Sequence, residues 1–243
     1  MRSGAQPREW RQVSSDWRAP VEDHWLADGT PVRLRPIGPH DRHRHWRFVC
    51  SLSLKTRYQR LMSPRCLLPG ELLRMVEIDG EREMALVATT MIAGEENELG
   101  VARYVREEVG GEARDRLAQG AEFAIVVTDA WQGRGIGRLL LHGLRNAAAS
   151  AGVSQLAGVT LATNDGMLRL ARRLGFEISP EPGDWTVRRI TWRHPTQADR
   201  GAVGGDGYFV RIDPPVGQRA SRARDTGSRT PMLPSPVSCD VSG

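Results

Sequence analysis

The chain has little of several features that mark particular protein classes. Its 243 residues include three cysteines, which are too few and too widely spaced for a disulfide framework or a paired-cysteine metal site. No run approaches the roughly 20 apolar residues that span a bilayer. The first residues are polar, unlike a signal peptide. These absences predict a cytoplasmic protein whose cysteines are free thiols and which has no membrane partner.

Lysine is nearly missing, since Lys55 is the single lysine among 34 basic residues. The net charge is nevertheless +5, which invites a nucleic-acid interpretation. Residues 31–195 carry 24 basic and 19 acidic groups, whereas residues 196–243 carry 6 and 5. The excess therefore lies in the middle of the chain and not in a basic tail, and we expect no nucleic-acid partner.

Composition divides the chain into three parts. Residues 1–28 are polar without a sustained period and predict an N-terminal extension that is ordered only in part. Residues 29–195 carry regular hydrophobic patterns and predict one domain. Residues 196–243 are rich in Gly, Pro, Ser and Arg, a composition that predicts disorder.

Hydrophobic periods in the middle part predict the element order β, α, α, β, β, β, α, β, α, β, β. The most regular strand covers 121–128, and a long helix follows from Gly135 to about Ala151. This order predicts an α/β (α+β) fold, in which a mixed, mostly antiparallel sheet of six to seven strands is flanked by helices.

A glycine-rich turn joins that strand to that helix, with the sequence Gln132-Gly133-Arg134-Gly135-Ile136-Gly137. Helix N-termini offer free N–H groups and a partial positive charge, and glycines let a phosphate approach them. The turn is therefore expected to bind a pyrophosphate. It fits neither GxxxxGK[ST] nor GxGxxG, since Arg138 and Leu140 stand where the last glycine of the second motif is required.

The turn has the form Q/R-x-x-G-x-G/A and resembles the pyrophosphate-binding turn of the GNAT superfamily of N-acetyltransferases. The stretch 164–177, an asparagine and a helix ending in Leu-Gly-Phe, is similar to that family's closing segment. The segments 56–61, 79–88 and 121–124 look most like bacterial Pat-type protein lysine acetyltransferases. The resemblance covers about residues 31–193 and implies the GNAT fold with acetyl-CoA as cosubstrate.

Glu122 is the candidate catalytic residue. Strand alternation places it on one face with Ala124 and Val126, and a carboxylate in an apolar strand is costly to bury. Amine acetylation would explain a carboxylate at this position, because the attacking amine must lose a proton and a carboxylate can accept it. In Pat-type enzymes a glutamate at this strand position is the general base, and the resemblance assigns that role to Glu122. The alternative is a strand-entry glutamate in a surface salt bridge.

The remaining expectations concern the ligands. We expect the thioester oxygen to accept a backbone N–H near Val126 or Val127. We expect no metal, since only His40 and His43 of the 40–45 cluster share a helical face. The candidate acetyl-CoA-binding residues are Val126, Val127, Gln132, Gly133, Arg134, Gly135, Ile136, Gly137, Arg138, Asn164 and Arg169.

The acceptor is expected to be a lysine-bearing protein, and an acidic stretch at 71–122 would suit such a cationic partner. Two alternatives stay open, acetylation of a small amine and an acyl-CoA-binding module without turnover. Many GNAT enzymes use a tyrosine as general acid in the helix that corresponds to 166–174, and this sequence has none there.

Overall fold

The structure is a computed structural model that describes residues 21–61, 74–106 and 120–194. Eight strands form one sheet in the order β1-β2-β3-β4-β5-β6-β8-β7. The strands are β1 Glu22–Trp25, β2 Pro31–Pro36, β3 Glu83–Ile92, β4 Glu95–Arg106, β5 Gly120–Val127, β6 Gln155–Leu161, β7 Glu177–Glu181 and β8 Asp184–Arg193. The helices are α1 Arg42–Ser51, α2 Leu54–Leu61, α3 Ile136–Ser150 and α4 Asp165–Arg173.

The mixed, mostly antiparallel sheet predicted from the sequence is confirmed, since β5 and β6 form the parallel pair and the other neighbouring strands run antiparallel. The strand number is eight rather than six or seven. The additional strand is β1, which lies inside the predicted extension. Its sequence is polar, and it is held to β2 partly by the Arg33 guanidinium, whose Nε lies 2.7 Å from Asp23. Hydrophobic patterning could not reveal such a strand.

Residues 1–20 and the tail predicted to be disordered, 196–243, lie outside the described residues. Within the described ranges, no helix is both long enough and apolar enough to cross a membrane.

The larger core lies between the sheet and α3. The helix buries Leu140, Leu141 and Leu144 completely, as its spacing of apolar residues at three and four predicts. A Cβ on Gly143 would lie 2.6 Å from Leu34 Cδ2, so a glycine is needed where the helix crosses the sheet. A smaller core covers the opposite face, formed by Ile37, Val76, Ile78, Ala85 and Val87.

A buried ion pair fixes α1 to the sheet on that opposite face. The Arg35 guanidinium donates two hydrogen bonds of 2.7 Å to the Asp41 carboxylate, and both side chains are almost fully enclosed. Burial alone would raise the pKa of Asp41, but the bonds from Arg35 and the Gly38 N–H hold it below its usual range. This pairing sets the position of α1 above β4 and β5.

Candidate active site

Strands β5 and β6 separate along their length. Their pairing ends where Glu122 lies opposite Ala157, although β5 continues to Val127 and β6 to Leu161. Parallel strands normally pair continuously, so a break of this kind leaves backbone groups on the inner edges. The two strands therefore open a slot at the middle of the sheet.

Backbone alternation decides which groups of β5 face that slot. The Thr128 N–H donates to the Leu99 carbonyl of β4 at 2.9 Å. A Cβ on Gly100 of β4 would lie 2.8 Å from the Val126 oxygen, so Val126 also faces β4. Successive residues of a strand turn their N–H groups to opposite sides. Of the two expected donors, Val127 thus faces the slot and Val126 faces β4.

The turn after β5 is built from left-handed glycines. Gly133 has φ of 76° and Gly135 has φ of 99°, conformations that other residues rarely adopt. A Cβ on either glycine would meet no heavy atom within 4 Å, so the space above the turn is open. An incoming anion can reach this backbone directly.

The N-terminus of α3 is left without a cap. Gly135 holds the cap position, no side chain accepts a hydrogen bond there, and the first turn contains no acidic residue. The first helical bond runs from the Leu139 N–H to the Gly135 oxygen at 3.1 Å. The N–H groups without an intrahelical acceptor are those of Ile136, Gly137 and Arg138. These open donors at the positive end of the helix dipole fit a pyrophosphate.

Arginines surround this helix end. The Arg134 guanidinium lies 4.8 Å from the centre of the Trp131 ring and 3.5 Å from the Asp28 carboxylate. Arg138 in the first turn of α3 and Arg169 in α4 are both exposed. The predicted basic residues are thus available to phosphate groups, with Arg134 already held in place by its ring contact.

Two other predicted residues hold the local structure together. The Gln132 Nε2 donates to the Val127 oxygen at 3.1 Å and to the Thr56 hydroxyl at 3.2 Å, which ties the turn to β5 and α2. Asn164 caps α4, since its Oδ1 accepts the Met167 N–H at 3.2 Å. Both side chains are therefore engaged within the protein.

Asp129 is a residue that sequence reasoning missed. Its carboxylate accepts the Ser53 N–H at 3.0 Å, the Ser53 hydroxyl at 2.7 Å and the Thr56 hydroxyl at 2.7 Å. Partial burial would raise the pKa of Asp129, but these bonds hold it below its usual range. Ser53 precedes α2 and its hydroxyl accepts the Thr56 N–H at 3.2 Å, a cap that the sequence could suggest. The sequence does not show that Asp129, between β5 and the glycine-rich turn, accepts bonds from both residues.

A cleft lies beside the slot, between α1, α2 and strands β3 to β5. Its volume is about 540 Å³, its open mouth included. Ala124 and Val126 of β5 line it, and Glu122 is on the same face of that strand. Glu122 is exposed, which corrects the expectation that its carboxylate would be buried. Its one parallel neighbour, Ala157, is too small to cover it.

A buried pair stands at the wall of the cleft. His45 Nδ1 lies 2.9 Å from Glu98 Oε1, and both side chains are almost inaccessible. Burial raises the pKa of Glu98, and His45 opposes the rise. The sequence analysis considered residues 40–45 only as a possible metal cluster and did not place His45 in the interior. The apolar spacing of Phe48 and Leu52, which line the same cleft, is the signal that could have placed it inward.

Comparison with known proteins agrees with this geometry. Residues 32–177 match the family described as acetyltransferase (GNAT) domain. Acetyltransferase PA5475 of Pseudomonas aeruginosa is 33% identical over 177 residues, 71% of this chain and 91% of its own length. Acetyltransferase Pat of Mycolicibacterium smegmatis is 32% identical over 142 residues, which cover 58% of this chain but only 40% of that protein.

A solved structure shows the same relationship. The GNAT domain of S. lividans PAT matches with a TM-score of 0.63 and 28% identity, covering 72% of this chain and 97% of that domain. The resemblance to Pat-type GNAT proteins predicted from the sequence is confirmed, as is the fold. The chain is an acyltransferase that belongs to the acetyltransferase (GNAT) family.

Proposed function

We propose that the protein transfers an acetyl group from acetyl-CoA to a primary amine, with Glu122 as general base and a protein lysine as the acceptor. The observation that carries the proposal is the arrangement along β5. Glu122 stands where the slot begins, and the open N-terminus of α3 follows the far end of the same strand. Val127 lies five positions beyond Glu122 on this strand, about 17 Å of extended chain, so the reacting groups would lie between the two residues.

The open end of α3 is the proposed pyrophosphate site. The N–H groups of Ile136, Gly137 and Arg138 would donate to phosphate oxygens, and the left-handed Gly133 and Gly135 keep side chains out of the way. The proposed salt-bridging residues are Arg134, Arg138 and Arg169. Asp129 and Gln132 would hold the turn in place against α2. The cleft between α1, α2 and strands β3 to β5 is the proposed binding site of the amine, and we call it the acceptor cleft.

The chemical step follows from the two faces of β5. Glu122, exposed on the cleft face, would accept a proton from the acceptor ammonium directly or through a water. The amine nitrogen then bonds to the thioester carbonyl carbon, and the carbon–sulfur bond breaks. The CoA thiolate that leaves takes up the second proton that the nitrogen loses. The Val127 N–H, turned to the slot, would stabilise the negative charge that develops on the carbonyl oxygen, and water in the cleft would carry the proton from the amine over the remaining distance to Glu122. No side chain becomes covalently bound.

Replacing Glu122 by Gln tests the catalytic part of the proposal. The amide has almost the same shape but accepts no proton, so kcat should fall about 100- to 10,000-fold while the Kd of acetyl-CoA stays within about twofold. Glu177→Gln is the matched control, because Glu177 is exposed and starts an edge strand in the same sheet. Turnover by Glu122→Gln at the wild-type rate would remove Glu122 from the mechanism.

The acceptor requires a separate experiment. The protein, labelled acetyl-CoA and a cell lysate are incubated together, and labelled proteins and small molecules are identified by mass spectrometry. Label on protein lysines supports the proposal. Label on small amines alone replaces the lysine acceptor by a small molecule. Tight acetyl-CoA binding with no transfer at all would favour a binding module without turnover.

A further inference from the structure

The acceptor cleft is lined by cations. Three arginines face it, Arg57 and Arg60 from α2 and Arg103 from β4, and the other lining residues apart from His45 are apolar. No carboxylate belongs to the described lining of the cleft. The acidic stretch that the sequence analysis expected to attract a cationic acceptor is thus not what forms these walls.

The three arginines differ in how their charges are balanced. Arg103 is paired with Glu83 at the start of β3. The Arg57 Nε donates to the Leu52 carbonyl oxygen at 3.1 Å. Within the part of the chain that the structure describes, Arg60 has no hydrogen bond or ion pair. Arg60 is therefore the arginine of the cleft to which the described residues supply neither a hydrogen bond nor an ion pair.

The electrostatic setting of Arg60 agrees with that geometry. Burial lowers the pKa of Arg60, the neighbouring positive charge of Arg103 lowers it further, and only Glu122 acts in the opposite direction. A partly buried guanidinium without a partner is unfavourable, and an anion that enters the cleft with a ligand would relieve the cost. Helix α2 packs against β5, so Arg60 and the proposed base belong to neighbouring elements.

We propose that Arg60 forms an anion subsite of the acceptor cleft, and that the acceptor carries a carboxylate close to the amine that is acetylated. The favoured form is a lysine with acidic neighbours in a protein. This rests on the proposed function, because the amine is taken to lie at Glu122. Glu122 receives the ammonium and Arg60 receives the carboxylate, so the two charges of the acceptor each meet an opposite charge.

Binding tests the subsite without requiring turnover. 4-Acetamidobutanoate and N-butylacetamide have the same acetylated amine and differ by one carboxylate. In the presence of CoA, calorimetry should show the acid binding at least about tenfold more tightly to the wild type, since charge-assisted pairs are the stronger ones. Arg60→Met should reduce that ratio to about twofold or less, whereas Arg60→Lys should retain part of it.

Lys55→Met is the matched control, because Lys55 is an exposed cation on the same helix and lies outside the cleft lining. It removes the same charge from α2 and should leave the preference unchanged. Equal binding of both compounds to the wild type, or an unchanged preference in Arg60→Met, would overturn the subsite. Circular dichroism on Arg60→Met and Arg60→Lys verifies that both variants fold.

Kinetics then distinguish the source of the carboxylate. Two peptides with the cores Glu-Lys-Glu and Gln-Lys-Gln, and the pair 4-aminobutanoate and butylamine, are compared by kcat/KM. A preference of about tenfold for Glu-Lys-Glu that depends on Arg60 supports the lysine form. A preference confined to 4-aminobutanoate keeps the subsite and overturns the protein acceptor. A rate gained only with succinyl-CoA would place the carboxylate on the acyl donor and overturn the proposal.

The two proposals can fail separately. Acetylation of all four amines without regard to their carboxylates would support the proposed function and overturn the subsite. Arg60-dependent binding of 4-acetamidobutanoate without transfer to any amine would support the subsite and overturn the proposed function.

Discussion

The start of helix α3 packs against the second half of α4, and the N-termini of the two helices are completed in opposite ways. The start of α4 is closed by the protein itself, with Asn164 accepting the Met167 N–H and Asp165 in the first turn. The start of α3 has a left-handed glycine at the cap position, no side-chain acceptor and no acid. A Cβ on Gly137 would lie 3.0 Å from Leu170 Cδ2, so the two helices are in close contact here.

The difference separates structural from functional helix ends. A side-chain cap contributes about 1 kcal/mol to stability, and an acid in the first turn adds about 0.3–1 kcal/mol. Helix α3 has neither the side-chain cap nor the acidic residue, whereas α4 has both. Omitting them leaves the donors of α3 free for a ligand that supplies the missing negative charge. The absence of a side-chain cap and of an acidic residue at α3 thus supports the pyrophosphate site proposed there.

Among changes at the helix ends, the largest expected effect comes from giving α3 an acidic cap. In Gly135→Asp the new carboxylate would accept the free N–H groups and repel a phosphate, so the Kd of acetyl-CoA should rise about 30-fold, or about 2 kcal/mol. Gly135→Asn carries the same backbone strain without the charge and should raise Kd only about fivefold. Isothermal calorimetry measures both values.

The pair of variants separates charge from strain. Thermal melting should show similar losses of stability for both, because φ of 99° disfavours either side chain. Equal Kd values for the Asp and Asn variants would mean that strain alone weakens binding. Wild-type affinity in both variants would show that the phosphates bind elsewhere.

Helix α2 supplies an intermediate case, since its N-terminus is capped from a distance by Asp129. Asp129→Ala removes acceptors for three hydrogen bonds and should lower the free energy of unfolding by about 1.5 kcal/mol at pH 7. Because the pKa of Asp129 is held below its usual range, its contribution is present above the ordinary carboxyl range and is lost as the pH falls. Urea titrations at pH 7 and at acidic pH measure the difference in the free energy of unfolding between the wild type and Asp129→Ala.

A second readout tests the link between turn and cleft. Asp129 joins the segment between β5 and the glycine-rich turn to α2, so Asp129→Ala should also raise KM for the amine. The effect should be smaller in Asp129→Asn, which keeps an acceptor oxygen. A stability gap that widens toward acidic pH would contradict the assigned direction of the pKa shift. An unchanged KM would limit Asp129 to a structural role.

Much of the fold could be predicted because its elements bury regular apolar faces. The residues Ile136, Leu140 and Leu144 recur at helical spacing, and the glycine-rich turn precedes them directly. Strand β1 could not be predicted in this way, because its register with β2 depends on polar pairing such as that of Asp23 with Arg33. Hydrophobic patterning does not show that a charged residue pairs with another one ten positions away.

The site shows the same division. The turn and Glu122 lie within one continuous stretch, so strand alternation and glycine spacing place them together. Three other features depend on residues more than 35 positions apart in the chain. They are the hydrogen bonds from α2 to Asp129, the pair of His45 with Glu98, and the placement of Arg60 near Arg103 and Glu122. These contacts form only when α1 and α2 pack against β4 and β5, so they could not be predicted from the sequence.

The smallest expected effect comes from opening α4 in the manner of α3. Asn164→Ala should destabilise the protein by about 1 kcal/mol, since the Met167 N–H loses its acceptor. Asn164→Asp keeps that acceptor and should restore most of the loss, as measured by urea unfolding. The Kd of acetyl-CoA should change less than about twofold in both, because the Asn164 amide is already engaged at both ends, with Nδ2 donating to Thr160 at 3.2 Å. A tenfold rise in Kd for Asn164→Ala at unchanged stability would show that Asn164 contacts acetyl-CoA, as the sequence analysis predicts, in addition to capping α4. The two helix ends would then differ in degree and not in kind.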